Sequence, residues 1–334
     1  MNALMNFLKM ALLTLWACAA MAAPNTVRVG VLEFGTVNWE LEALRNLGLD
    51  KQHGIDLVVV PLASGDASTV ALQGGAVDVI VSDWLWVSRQ RAQGKPYTFV
   101  TYSNAVGSVV VPASSDIRSV ADLKGKKIGI SGGPYDKIWT LLRAHALRNQ
   151  QLDLTQAATL RFGAPPLLNE LIARGELDAV LNTWPFAARL QAQGMRSVIG
   201  LGDVLKGLGI AQSIPLIGWV FREDWAAQNP ALVNQFLAAS HATKQALQTQ
   251  DSLWQSLRTR MRARDDDALF TQLRDGFRAG MPHCLDDATR QTIAQTYAVL
   301  ASVGGEPLVG SARTLSPGTF WAGQSPSTCT PRTP

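Results

Sequence analysis

Leu72-Gln-Gly-Gly75-Ala-Val-Asp78-Val-Ile-Val-Ser-Asp-Trp84 is followed, at a constant offset of 100 residues, by Ile172-Ala-Arg-Gly175-Glu-Leu-Asp178-Ala-Val-Leu-Asn-Thr-Trp184. Each copy reads as a helix end, a glycine turn, an aspartate, a short β-rich run, a polar pair and a tryptophan. Short strands align by chance, but so many features in one order do not. Two copies mean paired lobes rather than a stacked solenoid.

Working outward, Val27 to Val31 is a β-rich run, and a helical stretch from Asn38 puts Leu41, Leu44 and Leu47 on one face before Gly48 stops it. A strand from Ile55 to Val60, a helix opened by Asp66 or Ser68, and a strand from Val77 to Val81 follow. This β-α-β-α-β order predicts a mostly parallel sheet. In the second copy, Ile128-Gly129-Ile130 matches Val29-Gly30-Val31 as the strand entering a glycine-containing loop. The β-branched runs at Ser108 to Val111 and Ile217 to Phe221 read as two crossover strands, which predicts lobe one over 24–108 plus 218–334 and lobe two over 109–217. The helical region from Asp224 to Ser302 is expected to pack mainly on lobe one, and the Pro-, Gly- and Ser-rich tail after Gly304 to wrap irregularly.

The chain has 334 residues, 47% hydrophobic and 17% charged, enough for two buried cores. A net charge of +4 without any dense basic run argues against a nucleic-acid partner. Lys9, the apolar stretch Met10 to Trp16 and the small residues before Ala23 predict a signal peptide over 1–22, hence a periplasmic protein. The apolar stretch is shorter than the roughly 20 residues a membrane anchor needs. A lipidated Cys18 is the rival reading, which the bulky Trp16 disfavours. Removal of the signal leaves Cys284 and Cys329, expected to form a disulfide in an oxidising compartment, with two free buried thiols as the alternative. His53, His145, His241 and His283 are scattered without metal-ligand spacing, so no metal and no cofactor are expected.

Gly75-Ala-Val-Asp78, Val120-Ala-Asp-Leu-Lys-Gly-Lys-Lys-Ile-Gly129, Gly175-Glu-Leu-Asp-Ala179 and Phe221-Arg-Glu-Asp-Trp225 together resemble the periplasmic binding proteins of the nitrate, sulfonate, taurine and thiamine-precursor (NitT/TauT-like) uptake family. The resemblance implies an α/β, two-lobed periplasmic binding protein of type II fold, hinged by the two crossover strands. It also implies a monomer that captures a small organic molecule and delivers it to an ABC transporter permease with its ATPase. A periplasmic sensor or accessory protein, or a pyrimidine synthase-like enzyme on the same fold, is the alternative. No phosphate loop, zinc-type histidine pair or nucleophile elbow occurs, which favours a binder over an enzyme.

In open parallel sheets, ligands sit beyond the carboxyl ends of the strands. That rule selects the loops Glu33 to Trp39, Ser64 to Ser68, Ser82 to Trp86, Ser131 to Lys137 and Asn182 to Pro185. Candidate ligand contacts are Trp39, Asp66, Asp83, Trp84, Ser131, Gly132, Gly133, Tyr135, Asp136, Asn182 and Trp184. The glycines of the Ser131 loop would let backbone amides approach a polar group. Each tryptophan could equally be core packing, and Asp66 a helix cap. The repeat places Trp84 and Trp184 at equivalent strand ends, so the two could sandwich a ligand. Asp83 and Asp136 outnumber the one basic residue of these loops, Lys137, and so favour an amine-bearing, zwitterionic or heteroaromatic ligand over a bare anion.

Overall fold

The computed structural model describes residues 25–210, 214–282 and 285–323. The segment 1–22, Cys284 and Cys329 lie outside the described residues, and with them the expected signal peptide and disulfide.

The chain begins with β1 (Thr26–Leu32), α1 (Val37–Asn46), α2 (Leu49–Gln52), β2 (Asp56–Leu62), α3 (Gly65–Gln73), β3 (Val79–Asp83), α4 (Trp84–Ala92) and β4 (Tyr97–Ser103). It continues through β5 (Ser108–Val111), β6 (Lys127–Ser131), α5 (Lys137–Gln150), α6 (Leu154–Ala157), β7 (Thr159–Gly163), α7 (Pro165–Ala173), β8 (Ala179–Asn182), α8 (Trp184–Ala192), β9 (Arg196–Gly200) and α9 (Leu201–Gly207). After β10 (Ile217–Arg222) come only helices: α10 (Glu223–Gln228), α11 (Pro230–Thr249), α12 (Asp251–Leu257), α13 (Asp267–Ala279) and α14 (Asp287–Val309), the last broken at Gly305.

These strands form two five-stranded sheets, β2-β1-β3-β10-β4 and β7-β6-β8-β5-β9. In each sheet the first three strands are parallel, the fourth runs the opposite way, and the edge strand, antiparallel to the fourth, returns to the common direction. Four strands of five therefore point one way, and their carboxyl ends face the seam between the lobes. The repeat explains the likeness. Gly75 and Gly175 both turn with a left-handed φ, +72° and +74°, where a side chain would be strained. The next aspartates then make the same clamp: Arg28 N–H donates to Asp78 at 2.8 Å and Lys127 N–H donates to Asp178 at 2.7 Å. Each clamp pins the start of one parallel strand to the start of its neighbour.

Helix starts depart slightly from the sequence reading. Ser64, not Asp66 or Ser68, caps α3, accepting from the Ala67 N–H at 3.1 Å. The C-terminal helices depart more. α11 packs on α1 of lobe one, but α13 packs on α8 and α14 on α5, both of lobe two. One apolar cluster accordingly joins Trp39 and Ala43 of lobe one, Ala188 of lobe two, and Trp254, Leu257, Met261, Phe270 and Phe277 of the C-terminal region. The expectation that this region serves mainly lobe one is corrected: its helices strap both. The tail then runs along the edge of the first sheet, with Phe99 N–H donating to Thr319 at 2.9 Å and Trp321 N–H donating to Phe99 at 3.0 Å.

Candidate functional site

The eleven expected contacts fall into three groups. Four are committed to the scaffold. Trp84 is 0% exposed, donates its indole N–H to Pro215 O at 2.8 Å and packs against Tyr297. Asn182 is buried and satisfied, donating to Pro165 O and Asn169 Oδ1 while accepting from the Thr183 N–H. Asp136 is the cap of α5, accepting from Ile138 and Trp139 N–H at 2.8 and 3.1 Å. Gly132 N–H donates to Gly163 O at 3.2 Å, so it is already engaged. The second group, Asp66, Ser131, Gly133 and Tyr135, makes no hydrogen bond or ion pair across the seam among the described residues, and Tyr135 is 51% exposed. Ser131 is buried at the end of β6.

The third group does cross the seam. Asp83 caps α4 through the Trp86 N–H and also accepts from Lys137 of the opposite lobe at 3.0 Å. Burial works against the Lys137 charge, but Asp83 and Asp136 outweigh it and hold the ammonium above the ordinary lysine range. Asp136 is pushed up by burial, with Lys137 opposing. The carboxylate expected to meet a ligand amine is thus already neutralised by Lys137. Trp39 and Trp184 meet edge to face across the seam, 5.8 Å between centroids, and Trp39 is buried against Trp254 and Phe277 as well. Phe34 and Phe186 make a second crossing, at 6.1 Å. The sandwich of Trp84 with Trp184 is therefore replaced by a contact of Trp184 with Trp39.

Beside these aromatic crossings lies a cavity of about 440 Å³. Lobe one lines it with Glu33, Phe34, Gly35, Trp39 and Glu42, lobe two with Pro185, Phe186 and Arg189, and the loop between α12 and α13 with Thr259, Arg260 and Arg262. Its size suits a small organic molecule, since ligand pockets span about 300 to 1,000 Å³. Arg189 reaches from α8 to that loop, donating to Met261 O at 2.6 Å. Arg260 pairs with Glu42 at 2.7 Å. Burial, and then the neighbouring Arg262 guanidinium, push Arg189 below the ordinary arginine range.

Of the residues named from the sequence, Trp39 lines the cavity, and Glu33, Phe34, Gly35 and Pro185 belong to two of the five loops selected there. Phe186 follows directly on Trp184-Pro185. Arg189, Thr259, Arg260 and Arg262 carried no local signal, because packing of α13 on α8 is what brings their loop to the seam. The charge balance changes with them: three guanidiniums and two carboxylates line the cavity, where the loops alone had offered an acidic excess. Among the described residues, no cluster of three or more metal-ligating side chains occurs, and no helix is long and apolar enough to cross a membrane.

Two sheets of one topology, their strand ends facing a shared seam, define the two-lobed periplasmic-binding-protein fold. The chain belongs to the NMT1/THI5-like family, whose pattern matches residues 45–252. It is 35% identical over 112 residues to a candidate thiamine biosynthesis protein of Haemophilus influenzae, an alignment covering 32% of this chain and 33% of that protein. It is 28% identical over 241 residues to a candidate binding protein of Brucella abortus, covering 70% of each. In three dimensions it resembles the periplasmic aliphatic sulphonate binding protein of Escherichia coli, with a TM-score of 0.70 at 18% identity over 90% of this chain and 94% of that one. That last likeness is one of fold.

Proposed function

We propose that this chain is an exported solute-binding protein that captures a small organic molecule between its lobes and delivers it to the permease and ATPase of an ABC importer. The observation that carries this reading is the cavity of about 440 Å³ walled from both lobes, where aromatic edges and charged groups converge. Family membership and the fold shared with a sulphonate-binding protein support it. The signal-like segment 1–22 supports export to the periplasm. Capture rather than catalysis fits the lining, which includes neither histidine nor cysteine among the described residues.

The test is thermal unfolding of the mature protein with a panel of sulfonates, carboxylates, amines, pyrimidines and nitrate. A true ligand at a hundred times its Kd stabilises by about 2.7 kcal/mol through mass action. Phe186→Ala, which removes one aromatic wall, is expected to reduce that shift while leaving the unliganded melting temperature within a few degrees. A shift that survives Phe186→Ala and Phe34→Ala together would move the binding site elsewhere.

A further inference from the structure

Two sets of contacts cross the seam, and they use different helices. The aromatic crossings beside the cavity involve α1, α8 and α13. The other set is built on α4 of lobe one and α5 of lobe two, with α14 packed against both. A second apolar cluster fills that side, joining Trp84 and Leu85 of α4, Trp139 and Leu142 of α5, and Tyr297 and Leu300 of α14. At its mouth Asp83, the cap of α4, meets Lys137, the first residue of α5, at 3.0 Å. Neither residue lines the cavity. The pair also lies where the chain returns from lobe two to lobe one, since Asp83 is paired in register with Ile217 at the start of β10, and the neighbouring Trp84 indole holds Pro215 O just before it.

Exposed ion pairs stabilise little, because water screens them and two long side chains must be ordered to make them. Neither cost applies fully here. The Lys137 and Asp83 side chains are only 17% and 21% exposed, so the attraction acts in a medium less polarisable than water. Asp83 is also aimed before Lys137 arrives: Oδ1 accepts the Trp86 N–H at 2.7 Å, which turns Oδ2 toward the opposite lobe. Asp136 is fixed in the same way by the Ile138 and Trp139 N–H groups. The ammonium therefore docks among two carboxylates that helix capping has already placed, one on each lobe. Parting the lobes would give up the Asp83 attraction and expose the apolar cluster behind it.

We infer that the Asp83–Lys137 pair is a latch that holds the two lobes together without a ligand, so that the unliganded chain rests closed and opens transiently. All the contacts that close this side of the seam are the protein's own. The latch does not depend on the cavity being a ligand site, and its test uses no ligand, so it stands or falls separately from the proposed function.

The experiment is single-molecule energy transfer between dyes on the two lobes, in mature protein refolded to strip any carried-over ligand. An azide-bearing residue incorporated at the exposed positions Val70 of α3 and Leu167 of α7 takes the dyes and leaves the native cysteines alone. The variants are Asp83→Asn, which removes the charge while asparagine still caps α4, Lys137→Met, which removes the charge but keeps the chain length, and the two combined. The unaltered chain is expected to show mainly the short distance. Each single variant should lower the ratio of short- to long-distance molecules at least fivefold, with circular dichroism unchanged, and the double variant should open no further than either single one, because one interaction is lost only once. Mainly long distances in the unaltered chain, an unchanged ratio in both single variants, or a double variant whose shift is the sum of the two would each overturn the latch.

Discussion

The indole of Trp84 is wholly enclosed, with its one polar atom bonded to Pro215. Trp84→Ala is therefore a core deletion, expected to destabilise by about 3 to 5 kcal/mol through lost transfer energy and an unfilled cavity. Trp184 is half-buried at the seam, so Trp184→Ala should destabilise less and impair ligand binding more. Urea unfolding and ligand titration of the two variants separate these roles. Equal stability losses would mean that Trp184 is as much a core residue as Trp84. The repeat makes the two positions equivalent in the chain, but the chain neighbours do not decide what lies above each ring. Over Trp84 that is α14, through Tyr297; over Trp184 it is Trp39 and α13.

Between elements, α1 and α11 are joined by a buried charge pair. Glu40 is 0% exposed, accepts from Ser240 Oγ at 2.6 Å and pairs with Lys244, whose ammonium lies 3.7 Å over the Tyr102 ring. Ser240 in turn accepts from the Trp219 indole at 3.1 Å. Such a pair stabilises little overall, but breaking it strands a charge. Lys244→Met should thus cost about 3 to 5 kcal/mol, whereas Glu40→Gln combined with Lys244→Met should recover most of that loss. A double-mutant cycle by chemical denaturation measures the coupling, and additive losses would contradict it. Burial, opposed by Glu40, holds Lys244 below its ordinary value of 10.5. The unfolded chain then binds that proton more tightly, so the Lys244 contribution favours folding increasingly as pH rises toward 10.5. None of this was legible in the sequence, where Glu40 and Lys244 are ordinary helix charges 204 positions apart.

For the whole molecule, the decisive contact is the strap formed by α13 and α14 across the lobes. Hinge motion at the strands near Val110 and Trp219 must either carry these helices or strip buried apolar surface from α8 and α5. At Gly276 of α13 the strap lies close against α8: a Cβ there would come within 2.9 Å of the Trp184 ring. Gly276→Leu should wedge α13 from α8, enlarging the radius of gyration in small-angle scattering and weakening ligand binding. Circular dichroism should stay native, because both sheets are built without this contact. An unchanged radius with normal binding would show that Trp184 simply swings aside and that the strap does not set the spacing of the lobes.

The sequence by itself determined the two lobes and their sheets. Their information is local and doubled: a glycine that must turn left-handed, an aspartate that clamps two strand starts, and apolar runs of strand period occur twice at a fixed offset. It also marked the loops at the strand ends, since parallel strands leave them at one face. Only the tertiary structure decided which side chains in those loops remain available. Asp83 and Lys137, distant in sequence, neutralise each other. The guanidiniums of Arg189 and Arg262 share one cavity because α13 docks on α8. Local pattern fixes which element a residue joins; long-range packing and charge pairing fix what that residue faces.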